Sequence, residues 1–107
     1  MSDRLTAARA YVARKPTDRF GLYALAMELR KSRAWEEAFA AFETLIAHHP
    51  SYGAGFYHYA MTKREAGDRP GCVGVLRRGL EACDRSNDAH TRAEIEGVLD
   101  ELGEAVD

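Results

Sequence analysis

The chain has 107 residues, 46 % hydrophobic and 30 % charged, with 15 Lys and Arg against 17 Asp and Glu and a formal net charge of −2. That is the composition of a folded, water-soluble domain, long enough to bury roughly two-thirds of its unfolded surface without a disulfide or a metal. The balanced charge gives no pull toward phosphate backbones or anionic lipid, and no stretch approaches the roughly 18 apolar residues of a spanning helix; the charged opening, Met1 to Pro16, lacks a signal-peptide core.

The first predicted helix starts from a cap at Ser2 or Asp3 and runs to about Arg14, with Leu5, Ala8 and Val12 on one face. Lys15 precedes Pro16, whose ring pushes it out of helical φ/ψ and stops the helix. Thr17 or Asp18 caps the second helix. There Leu22, Leu25, Ala26 and Leu29 fall at i, i+3, i+4 and i+7, one face of a 3.6-residue period. Ser32, Arg33 and Ala34 make a short turn, and Trp35 opens the third helix, where Ala38, Phe42 and Leu45 share a face. Pro50 ends it and Ser51 caps the fourth. Phe56, Tyr59, Ala60 and Lys63 repeat the spacing of the second, Lys63 lending only its aliphatic stem. Gly67 supplies a left-handed stop. Asp68 caps the fifth helix, with Pro70 in the first turn, where a missing N–H costs nothing. Cys72, Leu76 and Gly79 line its inner face. The small Gly79 permits a close helix approach, whereas Gly71 and Gly74 weaken the helix. Ser86, Asn87 or Asp88 caps a sixth helix carrying Ile95, Val98, Leu99 and Leu102 as a stripe.

Pro16 and Pro50 are 34 residues apart, and the two helix pairs that follow them repeat at the same interval. Counted from Arg19, the residues Leu22, Leu25, Ala26, Leu29, Trp35, Ala38, Phe42, Leu45 and Pro50 resemble the tetratricopeptide repeat. A second copy, 53–86, follows the pattern at Phe56, Tyr59, Ala60, Gly67, Asp68, Leu76 and Gly79, and departs from it at Lys63 and Asp84. The resemblance implies an all-α fold: a short right-handed superhelix of six helices in three antiparallel pairs. A single domain over 1–107 would then comprise a flanking helix (1–16), repeats 19–52 and 53–86, and a capping helix (87–107). It also implies protein–protein interaction and no catalysis.

The residues point the same way. Cys72 and Cys83 lie about three turns apart on one helix, roughly 16 Å along its axis, too far to bridge. They read as small buried apolar residues, and unpaired thiols fit a cytoplasmic location. His48 and His49 diverge by about 100° on a helix and cannot share a metal. His58 and His90 read as lacking a ligand partner one turn on. The glycines around Gly53 and Gly67 have neither the preceding strand nor the following Lys-Ser/Thr of a phosphate loop. No catalytic residue, metal, cofactor, nucleic acid or membrane is therefore expected.

In the family the first helix of each repeat lines a concave face where a peptide lies. The residues at those positions are Phe20, Tyr23, Met27 and Arg30 in the first repeat, and Tyr57, His58, Met61 and Arg64 in the second. Tyr23, Met27 and Arg30 follow i, i+4, i+7, and Tyr57, Met61 and Arg64 do the same 34 residues later. Tyr and Arg are favoured binding residues and Met adapts to varied apolar partners, so a groove with an apolar floor and an Arg edge is expected to hold a partner's peptide or helix. The alternative is that these large side chains merely fill the inner curve. Tyr23, Met27 and His58 stand where a carboxylate-clamping groove would carry Lys, Asn and Asn, which favours an apolar, acid-flanked ligand. From Asp88 on, seven acids face the one base Arg92, a net −6 against +4 for the rest of the chain. That suits the solvated outer face of a terminal cap. A weak homo-oligomer, formed through this helix or the groove, is the second expectation.

Overall fold

In a computed structural model, residues 3–106 are described. Among them the chain is all-helical: α1 (Asp3–Arg14), α2 (Arg19–Lys31), α3 (Trp35–His48), α4 (Gly53–Glu65), α5 (Arg69–Ser86) and α6 (Ala89–Glu101). None of these helices is long and apolar enough to cross a membrane. Residues up to His49 form one compact unit and those from Pro50 on a second.

In the first unit α1 packs on α2 and α2 on α3. Ser2 lies outside the described residues, so its capping role does not enter. Asp18 rather than Thr17 caps α2: its carboxylate accepts from the Gly21 N–H at 2.8 Å. The carbonyl of Thr17 instead meets His49 Nε2 at 2.8 Å, tying the α1–α2 turn to the end of α3. The turn at 32–34 closes through Ala34 N–H to Leu29 O at 3.0 Å, with Arg33 in the left-handed region at φ 59°. Leu22, Ala26 and Leu29 of α2 and Ala38, Phe42 and Leu45 of α3 are all buried, as the stripes require, and the two helices pack together. Leu25 departs from that expectation and is only half-buried. From α1 only Ala8 is buried, while Leu5 and Val12 are half-covered.

In the second unit α4 packs on α5, α5 on α6, and α4 also touches α6. Ser51 does not cap α4. The turn after Pro50 runs through Ser51, so the cap position falls on Tyr52, whose side chain makes no capping bond. Its carbonyl accepts from the Gly55 N–H at 3.0 Å. Gly67 stops α4 at φ 84°. Asp68 then caps α5 by accepting from the Gly71 N–H at 2.9 Å. Of the three candidates before α6, Asp88 is the cap, accepting from the Thr91 N–H at 3.0 Å. Asn87 closes α5 in the left-handed region, and Ser86 is that helix's last residue, its hydroxyl donating to Ala82 O at 3.0 Å.

Phe56, Tyr59, Ala60, Cys72, Leu76, Ile95, Val98 and Leu99 make the second core. Leu102 continues the stripe half-buried, one residue past the end of α6. Lys63, the departure from the repeat pattern, keeps 19 % of its side chain exposed. Its ammonium sits 3.3 Å from Asp68 and 5.7 Å from the centre of the Tyr59 ring. A lysine is tolerated there because its stem covers the core while its charge reaches the next helix's cap. A Cβ on Gly79 would lie 2.8 Å from Ile95 Cδ1 and 3.0 Å from Phe56 Cβ, so α4, α5 and α6 meet over a residue that has none.

Candidate functional site

A surface feature of the first unit grows out of the α2 cap. Asp18 holds the Gly21 N–H and also accepts from the Tyr11 hydroxyl at 3.2 Å. The Gly21 hydrogen bond above all holds the Asp18 carboxyl below the usual carboxylate range; burial opposes it, and the Tyr11 hydroxyl adds a lesser lowering effect. The Tyr11 ring is thereby fixed over α2, and it fits because Gly21 has no side chain: a Cβ there would come within 2.5 Å of the ring. Phe20 stands next to it, edge to face, with ring centres 6.4 Å apart and planes at 76°. Phe20 is 73 % exposed, the one exposed large hydrophobic residue among the described ones.

Between α1 and α2 these rings border a cleft of about 290 Å³. Ala7, Ala8 and Ala24 supply small apolar walls, and Arg4 and Glu28 supply one charge of each sign. Reading the α2 face alone did not reveal it. The available signals were a tyrosine off the Leu5–Ala8–Val12 stripe and a glycine early in α2.

The eight expected groove residues divide between the units. On α2, Tyr23, Met27 and Arg30 are half-buried, and Arg30 Nη1 lies 4.0 Å from Met27 Sδ. On α4, Tyr57, His58 and Met61 are half-buried and Arg64 is exposed. The Tyr57 and His58 rings meet edge to face at 5.2 Å, and the His58 carbonyl accepts from the buried Thr62 hydroxyl at 2.7 Å. Arg64 Nη1 lies 3.8 Å from Glu101 of α6. The structure thus pairs Phe20 with Tyr11, Met27 with Arg30, Tyr57 with His58, and Arg64 with Glu101.

Groups with chemical potential are spread apart. Both thiols are buried and free, and burial pushes each above its ordinary pKa, which keeps them protonated at neutral pH. Cys83 lines a second hollow of about 400 Å³ at the α5–α6 turn, together with Asn87, Asp88 and Arg92. Arg92 there is held by Asp84 at 2.8 Å and Glu96 at 3.3 Å. His90 corrects one expectation, since it does have a carboxylate one turn on: Glu94 lies 3.8 Å from its Nε2. The two are neighbours on one face of α6 because four residues span about one turn. Among the described residues no three His, Cys, Asp or Glu side chains gather as a metal site.

No family model, no curated protein and no solved structure matches this chain.

Proposed function

We propose that the protein is a non-catalytic adaptor of tetratricopeptide type, built of antiparallel helix pairs, that binds an apolar helix or peptide of a partner protein. Phe20 carries this reading. A large aromatic side chain left 73 % exposed beside a small-walled apolar cleft costs hydrophobic free energy in the free protein, and a partner's apolar side chain would recover it. The residue types around it support the same reading, since Tyr, Met and Arg recur at i, i+4, i+7 on α2 and again on α4. Self-assembly through the acidic last helix has less support. Glu101 and Glu104 already have arginine partners in their own unit, weak and open to water, so a second copy would have to exchange them.

Affinity capture with the full chain as bait tests the proposal. Phe20→Ala and the pair Tyr57→Ala, Met61→Ala should lose partners that the unaltered chain retains. An exposed Phe20 contributes little to folding, so its loss should leave the thermal midpoint nearly unchanged. If both variants fold and capture the same proteins as the unaltered chain, these faces are not the binding surface. Light scattering over a dilution series separates a monomeric adaptor from a self-assembling chain.

A further inference from the structure

Beyond that reading, and independent of it, we propose that Arg69 and Arg77 of α5 form a seat for an acidic peptide segment, occupied in this structure by the chain's own residues 102–106. The two arginines take four oxygen atoms of that stretch. Arg69 Nη2 donates to the Leu102 carbonyl and lies 3.4 Å from Glu104 Oε2. Arg77 Nη1 donates to the Ala105 carbonyl at 2.7 Å, and its Nη2 lies 3.5 Å from Glu104 Oε1. One carboxylate is therefore shared between two guanidinium groups, with a main-chain carbonyl taken on either side.

Positions eight apart on α5 are about 12 Å apart along its axis. Leu102 keeps helical angles, φ −83° and ψ −2°, so the segment is a compact turn there, and the two guanidinium groups converge on one carboxylate from that spacing. Small residues, Gly103 and Ala105, flank the glutamate and let the backbone approach the guanidinium groups. Gly103, at φ 73°, turns the chain out of α6 and onto α5, and the Glu104 N–H returns to Leu99 O at 2.9 Å.

This occupancy is exchangeable on physical grounds. The side chains of Arg69 and Arg77 are 59 % and 40 % exposed, and that of Glu104 is 33 % exposed. Gly103 and Ala105 are exposed as well. Ion pairs so open to water are weak and screened by salt. Main-chain bonds from Leu102, Gly103 and Glu104 back to Val98, Asp100 and Leu99 anchor the start of the strap, and tethering raises the local concentration of the rest at the seat. A free segment of the same chemistry, a glutamate between small residues, offers the same acceptors. The seat thus favours an acidic peptide and holds it off by competition within the chain.

The test uses the full chain and an end-blocked peptide Leu-Gly-Glu-Ala-Val, with binding followed by NMR titration of the amide and arginine side-chain signals. Glu104→Lys sets a cation against both guanidinium groups and should release the strap; Glu104→Gln is the milder release. The peptide should bind the released chain at least about tenfold more tightly than the unaltered chain, more weakly as salt rises. Its shifts should centre on Arg69 and Arg77. Adding Arg69→Ala and Arg77→Ala to Glu104→Lys should abolish binding, as should replacing the peptide's Glu by Gln. Equal affinity for released and unaltered chains, shifts that survive removal of both arginines, or no binding to either released chain with its fold intact would overturn the proposal.

Discussion

Gly79 and Gly74 sit in the same helix, and changing each to alanine should have opposite effects. At either site alanine removes the conformational cost of an interior glycine, a gain of up to about 1 kcal/mol. Around Gly74 nothing lies within 4 Å of the added Cβ, so that gain stands. Around Gly79 the Cβ arrives 2.8 Å from Ile95 Cδ1 and 3.0 Å from Phe56 Cβ. The isoleucine methyl can rotate away, but Phe56 Cβ is fixed to the α4 backbone, so relief requires α4 and α5 to part. Overpacking of this kind costs roughly 1–3 kcal/mol and outweighs the propensity gain. The two variants should differ by about 1–3 kcal/mol, with Gly74→Ala above the unaltered chain and Gly79→Ala below it. For a domain of this size that is a gap of roughly 5–15 °C between thermal midpoints. Urea unfolding followed by circular dichroism measures it, with equal slopes showing that native compactness is unchanged. Adding Ile95→Val to Gly79→Ala should recover little of the loss, since the methyl can already move aside and the contact with Phe56 Cβ remains. If Gly79→Ala is as stable as Gly74→Ala, the three helices do not meet as closely as described.

Two further outcomes follow from the caps and the thiols. Hydrogen bonds from the backbone N–H groups of Gly21, Gly71 and Thr91 are the leading cause that lowers the pKa of Asp18, Asp68 and Asp88. A carboxylate with a lowered folded pKa stabilises only while ionised. Its contribution is complete above the unfolded value of about 3.9 and is lost as pH falls through the folded value. The urea midpoint should therefore drop below about pH 4. Asp68→Asn, which still caps but cannot titrate, should show a shallower drop; an identical acid limb would contradict the assignment. Cys72 and Cys83 are buried with raised pKa values. A thiol reagent at neutral pH should label them only as fast as the second unit opens, with both reacting promptly in urea. Prompt labelling of either in the native protein would show that its thiol is not enclosed.

The helices and their cores were legible in the sequence because they depend on neighbours a few residues apart. Stripes at i, i+3, i+4 and i+7 marked Leu22, Ala26, Leu29, Phe56, Tyr59 and Ala60 as inward, and all are buried. Prolines, Gly67 and the Asp caps set the boundaries through local φ/ψ limits and local hydrogen bonds. Where local rules offered several caps, as at Thr17 or Asp18, only the structure chose. Ser51 misled because a serine is a good cap only if the chain turns at that residue, and here it turns one residue later.

The surface features were not legible in this way. Helical periodicity says which face a residue occupies, not which distant residue it meets. The Tyr11–Phe20 cleft exists because α1 closes on α2 over Gly21. The 102–106 strap exists because two long arginines of α5 reach a segment roughly 30 residues away. Arg64, expected at a groove edge, extends toward Glu101, and Lys63, an apparent flaw in the repeat, finds Asp68. Long charged side chains have many partners of similar energy along a sequence. Packing decides among them by bringing only a few within reach. The sequence by itself determined the helices, their stops and most of the residues that make their cores, since each follows from steric limits within a turn or two of chain. Tertiary structure alone decided the cleft, the strap and the pairing of the arginines, because these depend on how whole helices close on one another.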